Sequence, residues 1–118
     1  MGKNKWKQFE GRGCTIIDLG RAAVFALPEQ KLKQKIGKTT VADRIKAFLE
    51  AQYGAYTCMP CEGSWRGVTE RGLSYEVSFL GKHRLPKLIR EITRIARLTN
   101  EECIYLKAGQ YSCLIYPR

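Results

Sequence analysis

Residues 71–79 read RGLSYEVSF, and the alternation within this stretch decides the fold. Side chains of a β-strand point to opposite faces in turn, so its apolar and polar residues separate completely. The apolar face carries Leu73, Tyr75, Val77 and Phe79. The other face carries Ser74, Glu76 and Ser78. We therefore predict a strand whose apolar face packs against a core and whose polar face is turned away from it.

The same stretch resembles the RNA-binding strand of RNA-recognition domains, Lys/Arg-Gly-aromatic-small-aromatic-aliphatic-any-aromatic. Arg71, Gly72 and Tyr75 fit that pattern, whereas Leu73 and Glu76 do not. An RNA-binding orientation would bury the polar face under the helices, and an unpaired buried carboxylate is costly. We therefore interpret the stretch as a core strand, and the resemblance ends with these nine residues.

Helices are predicted on both sides of this strand. Thr40 with Asp43 resembles a capping box, and Gly54 is a suitable stop, which defines the first helix. The second helix has Pro86 in its first turn, an apolar Ile/Leu face, and an end at Thr99 and Asn100. An extended segment with Pro60 at an edge or bulge, followed by a turn over residues 67–72, precedes the core strand.

Hairpins are predicted at both ends of the chain, around Gly20 and Arg21 and around residues 108–110. The order ββ-α-ββ-α-ββ contains βαββαβ. We predict an α+β fold, a ferredoxin-like βαββαβ sandwich with an antiparallel sheet, two helices on one face and extra edge hairpin strands. Residues 1–12 are predicted to be a flexible basic N-terminal arm, and residues 13–118 a single domain.

The composition favours an anionic partner. Lys and Arg number 21 against 11 acids, a net charge of +10, which suits nucleic acid or an acidic protein surface. Solubility alone is the alternative explanation. No apolar stretch is long enough to cross a membrane, and we predict no membrane partner. The five cysteines without a secretory signal predict free thiols and a cytoplasmic protein.

The outer face of the second helix is the main candidate binding surface. Lys87, Arg90, Arg94 and Arg97 recur at helical spacing opposite the apolar stripe. Such a row can contact successive phosphates or the acids of a protein. An ordinary solvated helix face is the alternative.

The N-terminal arm is the second candidate. Its Lys3, Lys5 and Lys7 surround Trp6, and basic residues interleaved with aromatics can hold a nucleic-acid backbone and stack on bases. A disordered tail is the alternative.

Two further features were weighed as chemical sites. Cys58 and Cys61 lack both the helix start of a redox pair and the second pair of a zinc site, so buried or inert thiols are expected. His83 is the only histidine, and nothing in its spacing requires a catalytic role. We predict no catalytic residues, no metal and no cofactor.

Together these observations predict a small basic non-enzymatic module that docks nucleic acid mainly through phosphate contacts. One alternative is a protein-interaction module, a small inhibitor or accessory subunit that binds an acidic protein surface. A further alternative is a small hydrolase or nuclease using His83. We also expect a homodimer formed through the sheet face that the helices leave open.

Overall fold

The computed structural model describes residues 5–11 and 13–118. In chain order the elements begin with β1 (Arg21–Pro28), α1 (Glu29–Leu32), β2 (Lys35–Ile36), β3 (Thr39–Thr40) and α2 (Val41–Tyr53). They continue with β4 (Thr57–Trp65), β5 (Val68–Phe79), α3 (Leu85–Thr99), β6 (Ile104–Ala108) and β7 (Tyr111–Ile115). Short 3₁₀ turns lie at Lys7–Phe9 and Lys82–Arg84.

The fold is α+β and is built on a five-stranded antiparallel sheet in the order β4-β5-β1-β6-β7. The buried residues of α2 and α3 share one apolar core with those of β1, β5, β6 and β7, so both helices cover the same face of the sheet. The predicted α+β class and antiparallel sheet are confirmed. The ferredoxin-like assignment and the division into arm and domain stay predictions.

Strand β5 behaves as its alternation predicts. Tyr75, Val77 and Phe79 are at most 3% exposed, and Leu73 packs against the same core. Glu76 is exposed on the opposite face. The orientation predicted from the period-2 pattern is therefore confirmed. A shift of the strand by one residue would have moved every apolar side chain out of the core.

Both long helices begin and end where local chemistry places them. Thr40 Oγ1 accepts a hydrogen bond from the Asp43 backbone N at 3.1 Å, and Gly54 ends α2 at φ 78°. Pro86 lies in the first turn of α3, and Asn100 ends it in the left-handed conformation. Within the described ranges, no helix is long and apolar enough to cross a membrane.

The predicted N-terminal hairpin is wrong, because residues 14–20 form no strand. Instead β1 pairs with β5 on one side and with β6 on the other, so neither of its edges is free for a local partner. Gly20 lies directly against the end of β5, where an added Cβ would be 2.3 Å from the Phe79 carbonyl oxygen. The C-terminal hairpin of β6 and β7 is confirmed.

The predicted turn over residues 67–72 is also wrong. The chain reverses over Arg66 and Gly67, whose φ angles are 50° and 81°, and strand β5 already begins at Val68. Positive φ at both central residues is the signature of a two-residue hairpin turn whose twist matches its flanking strands. The hairpin of β4 and β5 consequently extends past Pro28, the last residue of β1. Pro60 lies on β4, an edge strand of the sheet, as predicted.

Candidate functional site

The basic row of α3 is exposed, as its helical spacing predicts. Lys87, Arg90 and Arg94 are on the outer side of the helix, and Arg97 Nε donates to the carbonyl oxygen of Arg118 at 2.9 Å. Glu91, an acid of the same helix, pairs with Arg44 of α2, whose Nε is 3.0 Å from Glu91 Oε2. Exposure of the row is also what an ordinary solvated helix face would show.

The N-terminal arm is described only in part. Lys3 lies outside the described residues, while Lys5 and Trp6 precede the 3₁₀ turn that contains Lys7. Trp6 is 42% exposed. The role of the arm and of the α3 row in binding stays a prediction.

Cys58 and Cys61 were predicted to be buried or inert thiols; Cys58 is exposed and Cys61 is half-buried, and both thiols are free. They lie on opposite faces of β4, about 10 Å apart along the strand, which is too far for a disulfide. Partial burial raises the pKa of the Cys58 thiol, and a thiol with a raised pKa is a poor nucleophile. His83 is exposed in the turn beyond Phe79 at the C-terminal end of β5.

A different group of ionisable side chains converges at the other end of the sheet, and we call it the carboxylate cluster. It consists of Glu70, Glu101 and Glu102 together with Lys31, Arg66, Cys103 and Tyr116. These residues come from α1, the β4–β5 hairpin, the α3–β6 loop and the C-terminal segment. Functional sites are commonly built from carboxylates and basic groups that come from separate segments and meet in one place.

The end of α3 positions the acids of the cluster. The Glu101 backbone N donates to the Ala96 carbonyl oxygen at 2.9 Å, and the Asn100 N donates to the Arg97 carbonyl oxygen at 3.2 Å. This pair of bonds around a left-handed residue is the Schellman motif. It turns the chain sharply, so Glu101 and Glu102 lie directly beyond the helix. Lys31 of α1 also contacts the end of α3, where its Nζ donates a hydrogen bond to the Thr99 carbonyl oxygen at 2.8 Å.

The β4–β5 hairpin supplies the opposite wall of the cluster. Arg66 Nη1 is 3.5 Å from Glu102 Oε2, and its guanidinium lies 5.1 Å above the ring of Trp65. Contact between the Cys103 thiol and the Tyr116 hydroxyl raises the pKa of Tyr116. Trp65 and Tyr116 are 44% and 48% exposed. The cluster therefore combines acids with accessible aromatic rings.

The electrostatics of the cluster centre on Glu101. Burial raises the pKa of this carboxyl most strongly, Lys31 and a backbone hydrogen bond from Glu102 lower it, and like-charge repulsion from Glu70 adds to the effect of burial. A cationic ligand placed among these acids would relieve the repulsion that they exert on one another. The arrangement is thus better suited to a positively charged group than to a phosphate.

Replacing Glu101 with glutamine is expected to flatten the pH dependence of stability. The folded pKa is above the ordinary value of 4.5, so the folded state of the wild type holds the proton more tightly. The stability that this proton contributes to the wild type is fully present below the unfolded pKa and is lost as the pH rises through the folded pKa. The variant should therefore gain stability relative to wild type in urea titrations as the pH rises from about 4.5 through the folded pKa of Glu101. Equal slopes for both proteins would contradict this, and Glu50→Gln on the exposed side of α2 is the control.

A shallow groove of about 460 Å³ is lined by residues of α1, α2, β4 and β5. Its polar lining includes Glu29 and Lys33, whose charged groups pair at 3.2 Å, and Arg71 of β5. Gly72 in its floor approaches β1 so closely that an added Cβ would be 2.1 Å from the Leu27 carbonyl oxygen.

No family model and no curated protein matches the chain. Solved structures do match it. A phage SAM lyase in the apo state aligns with TM-score 0.56 and 12% identity, covering 89% of this chain and 96% of that one. A phage SAM lyase in complex with S-methyl-5'-thioadenosine aligns with TM-score 0.53 and 11% identity, covering 88% and 95%. The α+β fold is therefore shared with these enzymes over nearly their whole length.

The prediction of a non-enzymatic nucleic-acid-binding module is wrong. The solved structures that share this fold are enzymes, and the ligand of one of them is a small thionucleoside. The net charge of +10 misled the prediction because it describes the whole chain, whereas the carboxylate cluster holds three acids against two bases. Sequence reasoning did not bring Glu70 and Glu101 together in one site. The only local signal was the acidic pair Glu101–Glu102 directly after a helix end, which by itself has no defined meaning.

Proposed function

We propose that this protein is a lyase that cleaves a carbon–sulfur bond of S-adenosylmethionine, the substrate for which SAM stands. The observation that carries the proposal is a locally acidic cluster in an otherwise strongly basic chain whose fold matches phage SAM lyases along nearly its full length. The substrate is a small molecule and not a nucleic acid. A cytoplasmic location stays part of the proposal and is supported by the free state of all five cysteines.

The charge of the substrate favours the carboxylate cluster as its binding site. The sulfur of S-adenosylmethionine is a sulfonium cation, and the acids Glu70, Glu101 and Glu102 are placed to attract it. Ion contacts made at a partly buried site are stronger than those made in open solvent, because the effective dielectric is lower. Binding of the cation would also lower the cost of holding Glu101 ionised beside two other acids.

The aromatic side chains favour the nucleoside part of the same substrate. Trp65 and Tyr116 present accessible rings at the border of the cluster. Stacking of a base on an aromatic ring is worth about 1–3 kcal/mol. Arg66 already covers the Trp65 ring, so an adenine would have to displace this guanidinium or stack on Tyr116.

The chemistry proposed for this site is heterolytic. One carbon–sulfur bond of the sulfonium breaks, and the sulfur keeps the electron pair, so the thioether S-methyl-5'-thioadenosine leaves without charge. An oxygen of the substrate's own carboxylate forms the new bond to the released carbon and closes a lactone, so the sulfonium and carboxylate charges of the substrate cancel in this step. The carboxylates therefore contribute mainly by binding and orienting the substrate, and the loss of charge favours release of the thioether from an acidic site.

The test is a direct assay with S-adenosylmethionine followed by liquid chromatography and mass spectrometry. We expect S-methyl-5'-thioadenosine to form with turnover on the order of 1 s⁻¹ or faster. A protein-free reaction measures spontaneous breakdown, and S-adenosylhomocysteine, whose sulfur is uncharged, is the matched control substrate and should remain intact. Product formation no faster than the protein-free reaction would refute the proposal.

A further inference from the structure

The sheet face that the helices leave open, which we call the open face, carries exposed large apolar side chains among its polar ones. Its side chains Met59, Tyr105 and Leu114 are 57%, 45% and 39% exposed. Between them lie Val24 and Ala26 of the central strand β1, both only half-buried. Large contiguous apolar patches on a folded protein usually mark interaction surfaces.

The strand register places two opposite charges symmetrically about the middle of this face. Glu76 of β5 lies directly opposite Val24, and Lys107 of β6 lies opposite Val24 on its other side. The two charged residues are therefore about 10 Å apart across the strands. Both are exposed, and neither belongs to an ion pair within residues 5–11 and 13–118.

A second row of residues crosses the strands of the open face, and its two ends are apolar. Met59 of β4 is opposite Ser74 of β5, which is opposite Ala26 of β1. On the far side Tyr105 of β6 is opposite Leu114 of β7. Because β1 and β6 are in register at Phe25 and Leu106, Tyr105 is level with Ala26. Met59 and Leu114 therefore occupy the two ends of one row.

We propose that the open face binds a second copy of this chain about a two-fold axis that runs along β1, between the two sheets. This axis exchanges the two ends of every row. Glu76 of each copy then faces Lys107 of the other, Met59 faces Leu114, and Val24 faces its own equivalent. A self-complementary patch of this kind is what a two-fold dimer requires.

The charge of the open face supports a second copy over an anionic partner. On this side the main-sheet strands carry only Glu70, Glu76 and Lys107 as charged side chains, in a chain of net charge +10. Two copies can therefore approach through this face without the repulsion that their basic surfaces would produce. This inference does not depend on the proposed lyase activity.

Light scattering after size-exclusion chromatography tests the inference on the full chain. The wild type is expected at about 27 kDa, twice the 13.5 kDa of one copy. Glu76→Lys alone and Lys107→Glu alone should each weaken the dimer about 100-fold, because each places like charges opposite one another. The double variant restores opposite charges at both contacts and should restore the dimer.

Arg94→Glu on the outer side of α3 is the matched control and should leave the dimer unchanged. Circular dichroism of each variant establishes that it is folded. A wild-type mass of one copy, or of any multiple other than two, would overturn the inference. So would a dimer that survives both single reversals, or a double variant that stays as weak as the single ones.

Discussion

Replacing Phe25 with alanine is expected to lower the free energy of unfolding by about 3–5 kcal/mol. Phe25 is 2% exposed on the middle strand of the sheet, and its ring stacks on Tyr75 with a centroid distance of 5.2 Å. Alanine removes the apolar transfer energy of the ring and leaves a cavity between the sheet and the helices. Because small domains are stable by only about 5–15 kcal/mol, this loss is a large fraction of the total.

Urea unfolding followed by circular dichroism measures the change. Phe9→Ala is the matched control, since it makes the same substitution at a side chain that is 53% exposed, and its effect should stay within about 0.5 kcal/mol. Equal losses in the two variants would contradict the assignment of Phe25 to the centre of the core. An unchanged slope of free energy against urea would show that the unfolded state is comparable in all three proteins.

Replacing Glu70 and Glu101 together with glutamine is expected to lower kcat/KM for S-adenosylmethionine about 100-fold. Each substitution removes a charge contact to the sulfonium, and contacts to charged groups are worth about 1.5–3 kcal/mol each. The positive charge is present in the bound substrate and is lost as the bond breaks. The effect should therefore fall mainly on KM, with a smaller change in kcat.

The control for this prediction is Asp43→Asn with Glu50→Gln, which neutralises two exposed acids of α2 away from the cluster. It changes the net charge by the same amount, so any general effect of charge on substrate attraction appears in both variants. Stability should not decide the outcome, because Glu101→Gln is expected to stabilise the protein near neutral pH. A double cluster variant with the kcat/KM of the control would exclude the carboxylate cluster from substrate binding.

The elements whose signals are local were predictable from the sequence. The period-2 alternation of residues 71–79 oriented β5, and the Thr40 cap with the Gly54 stop defined α2. In each case the deciding interaction is made by residues a few positions apart. The two wrong expectations about β-structure, the N-terminal hairpin and the turn over residues 67–72, both concern strand pairing. Whether a β-prone segment pairs with its neighbour depends on which other strands compete for the same edge.

The candidate site was not predictable for the same reason. Glu70 follows the Arg66–Gly67 turn, whereas Glu101 follows the Schellman motif that ends α3. Neither residue has a neighbour in the sequence that indicates chemistry. They approach each other because the β4–β5 hairpin extends past the end of β1, toward the loop between α3 and β6. The basic row of α3 was easier to find from its spacing, but spacing alone could not distinguish a binding surface from a solvated one.

For this protein, the amino-acid sequence alone determined the helices, the orientation of the core strand and the α+β class. These follow from backbone sterics, capping hydrogen bonds and the separation of apolar from polar side chains, all of which act over a few residues. Only the tertiary structure decided that β1 pairs on both edges and that acids from distant segments meet beyond α3. Those outcomes depend on the free energy of the whole packed chain, in which every strand edge and every buried charge must find its partner at once.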